Sequence, residues 1–308
     1  MKAKTDLAGY AHPAYAAASA QIGHPRELIK SGSRILERLI PGTSARDAMG
    51  CYPLFVCPDW SLLGDDLEAI GPELVSLVVV TDPFGDYTDE TLRRTFTDLV
   101  VPFKEHFIVD LDHDLEGFVH SHHQRNARKA LREITVERVP NPLDFLDDWN
   151  SLYANLIERH EFKGIARFSK ESFAGQLSVP GIELFRAVYR GKTVGITLWY
   201  VSEERGYYHL AAYDETGYEL RASFALFWRA LEYFAAIGLR RLGLGAGAGR
   251  DGNRLDGLIR FKRGWSNTTR TTFLCGKIFN QIEYQRISET KGTMGANYFP
   301  AYRQDEFF

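Results

Sequence analysis

The chain has few of the residues that would staple or anchor it. Its 308 residues include three cysteines, Cys51, Cys57 and Cys275. This is an odd number with no CxxC pair and no histidine partner at zinc-finger spacing, which excludes a disulfide framework and predicts reduced, buried thiols of a cytosolic protein. No apolar run approaches the roughly 20 residues needed to cross a bilayer. The early stretch "AYAAASAQ" superficially suggests a signal peptide, but Asp6, Gly9, His12 and Pro13 interrupt any apolar h-region. The expectation is a cytoplasmic protein without a transmembrane segment. An excess of one charge is also missing: 37 Lys and Arg against 40 Asp and Glu give a net charge of -3. The molecule as a whole therefore has no field that draws it to nucleic acid, stable DNA binding is not expected, and any polyanion must be met locally. There are no internal repeats and no low-complexity segments.

The remaining composition is that of an ordinary globular protein. A hydrophobic fraction of 44% allows a large core, and 308 residues exceed the usual size of one domain, so two domains are expected. The fold class reads as α/β with mixed sheets. "PLFVCP" (53–58), "SLVVVTDPF" (76–84) and "HFIVDL" (106–111) have the form of buried strands, and "TDETLRRTFTDL" (88–99) that of a helix opened by a Thr cap. "VPNPLD" (139–144), with two prolines, marks the expected boundary between a domain of residues 1–138 and one of residues 139–308. Beyond it come two helices, a hairpin turning at Gly191-Lys192, the strand "GYYHLAAYD" (206–214), a long helix stopped by Gly238, the strand "RRLGLG" (240–245), a short helix, and a last strand, "TRTTFLCGKIF" (269–279). The tail after Asn280 has no usable period.

"HHQRNARKALR" (122–132) is the most basic short stretch. At about 100° per residue, Arg125, Arg128, Lys129 and Arg132 share one arc, with Ala127, Ala130, Leu131 and Ile134 opposite, which makes an amphipathic helix after a bend near Ser121–His123. On spacing alone, its charged face reads as solvated. Lys262 is more unusual. Leu255, Leu258, Ile259 and Lys262 stand at i, i+3, i+4 and i+7, so the lysine ends an apolar stripe and either snorkels past the helix end or enters a cleft. "GAGAGRDG" (245–252) contains GxGxxG as Gly247, Gly249 and Gly252, but no acidic residue follows at the end of the next strand, so it reads as a strand-to-helix loop and not a dinucleotide site. The Asp and His residues of "DLDHDLEGFVHSHH" show no HExxH or EF-hand spacing, and no metal site is expected. There is no GxSxG elbow and no P-loop.

The element order from 143 to 279 and the lines "PFKEHFIVDL", "RNARKALR", "GYYHLAAYD" running into "SFALFWRALEYFAAIGLRRLGLG", and "GLIRFKRGW" resemble the FemAB-like branch of the GNAT acyltransferase superfamily over roughly residues 100 to 280. The resemblance implies two tandem GNAT-like domains and transfer of an acyl or aminoacyl group to an amine, the best-known members extending the peptide of peptidoglycan precursors from aminoacyl-tRNA. The "FK" pair, Phe261 and Lys262, implies a substrate contact and a lysine that stabilises the oxyanion near the reacting carbonyl. Tyr208 and His209 fall on the strand that borders the reaction centre in such folds, as candidates for acceptor binding or proton transfer. Arg167 sits where the family contacts the acceptor. Arg125, Arg128, Lys129 and Arg132 gain a role in binding phosphates of donor or acceptor.

The donor departs from the pattern. CoA-dependent GNAT enzymes follow the fourth strand with R/Q-x-x-G-x-G/A, whose amides hold pyrophosphate. Here that register is Arg221-Ala222-Ser223-Phe224-Ala225-Leu226, with a phenylalanine at the first glycine position that would crowd a phosphate. No cofactor is certain, and an aminoacyl-tRNA or an acyl-CoA is the expected donor, with tRNA a potential partner. The expectation is an acyl or aminoacyl transferase acting on an anionic cell-envelope or metabolite precursor. The alternatives are a CoA-dependent N-acetyltransferase and a catalytically silent binding protein for a phosphorylated precursor.

Overall fold

The structure is a computed structural model that describes residues 7–160, 167–247, 257–304 and 306. In chain order the first part runs α1 (Pro13–Ala18), β1 (His24–Leu28), β2 (Ser33–Leu39), β3 (Arg46–Gly50), α2 (Leu63–Ile70), β4 (Ser76–Val80), α3 (Asp89–Thr95), β5 (Leu99–Asp110), α4 (Leu115–Phe118), α5 (Ser121–Ala130) and β6 (Thr135–Val139). The remainder is α6 (Leu146–His160), α7 (Lys170–Leu177), β7 (Ile182–Tyr189), β8 (Lys192–Ser202), β9 (Arg205–Tyr213), α8 (Glu215–Glu219), α9 (Ala222–Ala236), β10 (Arg241–Gly243), α10 (Gly257–Trp265), β11 (Thr268–Ile278) and α11 (Gln281–Thr290).

The chain forms two compact units. One comprises Met1–Gly9, Lys104–Phe162 and Gln176–Arg270; the other comprises Tyr10–Phe103, Lys163–Gly175 and Thr271–Phe308. The boundary expected at 138/139 lies inside the Lys104–Phe162 segment of the first unit. Phe107, Val109, Val119, Ala127, Ala130 and Ile134 share a single core with Phe185, Trp199, Phe227, Phe234 and Trp265, and β6 pairs with β7 from Thr135↔Val188 to Val139↔Leu184.

In the first unit the strands lie in the order β5-β10-β9-β8-β7-β6, with β10 antiparallel to β5 and parallel to β9 and the rest antiparallel. This is a mixed sheet, as expected for the fold class. The β7–β8 hairpin turns through Arg190 and Gly191 at φ 49° and 78°, the two positive values that a two-residue type I′ turn requires. The helix α9 buries Leu226, Phe227, Leu231 and Phe234 completely. Arg221 adopts a left-handed conformation at φ 60° and separates α9 from the one-turn helix α8. Leu220 and Phe224 are consequently only partly buried.

In the second unit β1-β2-β3-β4-β11 are neighbours in that order, with only β3 and β4 parallel. Thr88 caps α3 by accepting from the Thr91 amide, as its sequence predicts. "PLFVCP" is not a strand. A single bridge, Phe55 to Thr81, forms there, and Pro53 and Pro58, which lack amide donors, bound the segment. Below the sheet, Asp47, fully buried, receives Nε and Nη2 of Arg303 at 2.5 and 2.8 Å, and Glu306 accepts from both Arg303 and Arg38 at 2.9 and 3.0 Å. Removing Asp47 leaves two buried guanidiniums to share the single carboxylate of Glu306. Asp47→Ala is therefore expected to lower unfolding free energy by roughly 3 to 5 kcal/mol, measured by urea denaturation, whereas an exposed pair such as Arg93–Asp89 loses less than about 1 kcal/mol.

Candidate active site

The site is built on the edge where β10 leaves β5. Backbone bonds from Phe107 N to Gly245 O and from Leu244 N to Phe107 O, at 3.1 and 2.8 Å, hold the chain there. Lys262, on α10, decides how the apolar stripe of that helix should be read. It is 7% exposed, while Leu258 is 36% exposed, so the lysine points inward and does not snorkel. Its ammonium donates to Ala246 O at 2.7 Å and lies 5.8 Å from the centre of the Tyr208 ring. Gly245, at φ 76°, has no side chain in this space; a Cβ there would approach Nζ to 3.1 Å. Leu255, Gly249 and Gly252 lie outside the described residues.

Two neighbours escaped sequence reasoning. Lys104 donates to Gly247 O at 3.3 Å, and burial lowers its pKa. His106, two residues on along β5, is buried, and burial followed by the fields of Lys262 and Lys104 pushes its pKa down to about 3. The available signal was period two within "PFKEHFIVDL", which puts Lys104 and His106 on one strand face.

Strict alternation along β9 would place Tyr207, His209, Ala211 and Tyr213 on one face and Tyr208 on the other. The structure differs. The pairing with β8 shifts between Leu198↔Leu210 and Trp199↔Tyr208, leaving His209 as a bulge residue. Beyond the bulge the faces exchange, so Tyr208, Ala211 and Tyr213 all meet the core formed by Trp199 and Phe227. The Tyr208 and Tyr213 phenols are hydrogen-bonded, and burial raises the pKa of both. His209 instead meets Tyr200, with ring centres 4.8 Å apart, and its Nε2 bonds Gln176 Oε1 at 2.9 Å. Burial lowers its pKa to about 3.

The structure thus brings together Lys262 and Tyr208, and places His209 on the opposite face of β9. Phe261 is part of an aromatic cluster, its ring 5.2, 4.9 and 5.6 Å from those of Phe224, Phe227 and His123. Arg167 is exposed and belongs to the second unit, where its carbonyl accepts from Gln21. The basic helix is α5. The bend expected near Ser121–His123 comes slightly earlier, at Val119 and His120, which are extended between α4 and α5. Arg125, Arg128, Lys129 and Arg132 are all exposed, and Arg128 pairs with Glu116 at 3.2 Å. Beyond Tyr213 lies a cavity of about 510 Å³ walled by Asp214, Glu215 and Thr216 and by Glu158 and Arg159 of α6, with the Arg159 guanidinium 4.2 Å from the centre of the Tyr218 ring.

The three cysteines are buried and unpaired with one another, and burial pushes each thiol up to about 12. Among the described residues no group of three or more His, Cys, Asp and Glu side chains is placed to hold a metal ion, and no helix is long and apolar enough to cross a membrane.

Residues 120–263 match the family model for the acetyltransferase (GNAT) domain. The chain has the GNAT-superfamily acyltransferase fold. Among solved structures it is similar to FemX, at 15% identity over 89% of this chain and 93% of that one, with a TM-score of 0.66. It is also similar to the C-terminal domain of a putative lysylphosphatidylglycerol synthetase from Agrobacterium fabrum, at 13% identity over 90% and 89% of the two chains and a TM-score of 0.60. L-PGS from Bacillus licheniformis aligns at 14% identity over 90% and 95%, with a TM-score of 0.59. No curated protein sequence matches the chain. Within the GNAT domain α10 carries Lys262 and β9 carries Tyr208.

His106, His123 and His209 all have lowered pKa values, at about 3, 4 and 3. Each is neutral when folded and binds a proton more readily when unfolded, so acid favours the unfolded chain. Stability is expected to be level above about pH 6.5 and to fall as the pH drops toward 4. Between pH 6.5 and 5 most carboxylates remain ionised, and the slope belongs chiefly to these histidines. His209→Gln should lower that slope toward about 1.4 kcal/mol per pH unit less than wild type, as read by calorimetric melting across the window.

Proposed function

We propose that this protein transfers an acyl or aminoacyl group to an amine of a cell-envelope or metabolite precursor, acting in the cytoplasm. The observation that carries this reading is the buried Lys262 ammonium beside Tyr208 within a GNAT domain. An ammonium carries three N–H donors, one of which goes to Ala246 O at 2.7 Å. As the amine nitrogen attacks the acyl carbon, negative charge collects on the carbonyl oxygen, and Lys262 stabilises it in a place that excludes water. The C–N bond forms, the bond to the donor's leaving oxygen or sulfur breaks, and the amine proton is relayed by the Tyr208–Tyr213 pair to that leaving atom, which departs as an alcohol or thiol while both phenols, whose pKa values burial raises, stay protonated. Glu158, Asp214 and Glu215 at the cavity favour an amine-bearing acceptor over an anionic one there. Arg125, Arg128, Lys129 and Arg132 offer an exposed cationic face to the phosphates of the precursor or of tRNA. His209 supports β9 through Gln176.

Two features favour an aminoacyl-tRNA donor over acyl-CoA. The register in which a CoA enzyme has its glycine turn, Arg221 to Leu226, is the start of α9 here, and the Phe224 ring occupies it, 5.1 Å from His123. The fold neighbours include a putative lysylphosphatidylglycerol synthetase, whose name joins an amino acid to a lipid. The donor test is calorimetric: CoA and acetyl-CoA are expected to give no binding at micromolar concentration, and micromolar affinity would favour the N-acetyltransferase alternative.

Turnover is tested with radiolabelled aminoacyl-tRNAs and a UDP-linked peptide precursor. Lys262→Met, which keeps the stem and removes the charge, is expected to lower kcat by about 10²- to 10³-fold with KM little changed. Full activity in that variant would remove the lysine from the mechanism. Precursor binding without any turnover in wild type would favour the silent binding protein.

A further inference from the structure

The sequence opens α5 with three histidines, at 120, 122 and 123, that the proposed reaction does not use. Only one of them is buried. The His123 ring lies flat against α10: a Cβ added to Gly264 would fall 2.3 to 2.7 Å from three of its ring atoms, so the two helices meet this closely because residue 264 has no side chain. Its Nε2 is 3.0 Å from Phe261 O, and a carbonyl only accepts, so this nitrogen carries the proton. The ring is also wedged among Phe224 and Trp265, both at 5.1 Å, and Phe261 at 5.6 Å. The His120 amide donates to Gly264 O at 2.9 Å. His120 and His122 are the titratable groups beside it, at ring distances of 6.0 and 5.8 Å.

Phe261 directly precedes Lys262 in α10, and its carbonyl takes this bond from outside the helix. Fixing that carbonyl fixes the rotation of the helix at the lysine. We infer that His123 is a positioning residue, whose bond to Phe261 O holds α10 in the rotation that directs Lys262 at Ala246 O. The inference rests on the proposed role of Lys262 for its catalytic meaning, but its geometry can be tested without turnover.

The test is trace acetylation of the folded protein with limiting acetic anhydride, read by mass spectrometry as the ratio of Lys262 to Lys104. Lys104 is the internal reference, since it is held at Gly247 O from β5 and not from α10. His123→Gln places an amide donor where Nε2 stands; His123→Asn is too short to reach, and His123→Phe keeps the ring without the donor. The ratio is expected to rise about fivefold in the Asn variant, the population shift that losing one hydrogen bond of about 1 kcal/mol produces, and to remain at the wild-type value in the Gln variant. His123→Phe carries the test if His123→Asn does not fold. An unchanged ratio in a folded donor-free variant, a parallel rise at Lys104 that reports general loosening, or an equal rise in His123→Gln would each overturn the inference. With an active preparation, the donor-free variants should lower kcat and leave KM unchanged. The labelling ratio and the Lys262→Met turnover result are independent, so failure of one is distinguishable from failure of the other.

Discussion

An ammonium removed from water must find oxygen, or the fold loses more than the packing around it supplies. Lys262 finds Ala246 O, and much of the first unit's local architecture serves that bond. The acceptor carbonyl is presented just after β10 leaves β5, past a left-handed glycine that leaves room for the ammonium. The donor rides on a helix with a strong aromatic face: Phe261 and Trp265 pack on Phe227, with ring distances of 4.9 and 5.6 Å. A buried ammonium bonded to a carbonyl and set beside the Tyr208 ring is held against turning away, because leaving its acceptor costs solvation. That is the condition for electrostatic preorganisation, in which the donor does not have to reorganise when charge develops.

The second constraint is a single extra residue in β9. Without the bulge at His209, Tyr208 and Tyr213 would point to opposite faces. With it, the two phenols meet on the Trp199–Phe227 face, and His209 is turned toward Gln176 and Tyr200. Bulges re-aim side chains at a small cost in ladder bonding. Here the displaced residue is compensated by a buried side-chain bond.

Regular periodicity made much of the fold legible in the sequence. The Thr88 cap and the order of elements from α6 to β11 follow from local signals that tertiary contacts reinforce. The α/β class was readable for the same reason. What escaped reading was local geometry that spacing does not encode. β1 to β3 are short and rich in charge, as in "HPREL" and "SRILERL", because their polar residues pair across strands, Arg34 with Glu27 and Arg26 with Glu37. "PLFVCP" was apolar enough for a strand but flanked by prolines. In the site, Lys262 was visible because a charge ended an apolar stripe, whereas Lys104 and His106 were hidden in an alternating strand, and the bulge that separates Tyr208 from His209 leaves no compositional trace.

The basic helix shows why a single reading of such a segment is too few. Its outer face carries exposed cations, at least one of them paired with a surface carboxylate, and by itself that face is worth little to stability. Its inner face does different work. Ala127 and Ala130 are small enough to bring α5 close to α9, Asn126 accepts from Arg221 at the left-handed turn that starts α9, and His123 reaches across to α10. One ten-residue helix therefore touches the two helices that frame Lys262, while its charges face outward. An anion bound on the outer face would act on a rigid element already joined to the lysine's helix. The physical link between substrate capture and the reaction centre would then be the helix itself, with no moving part required.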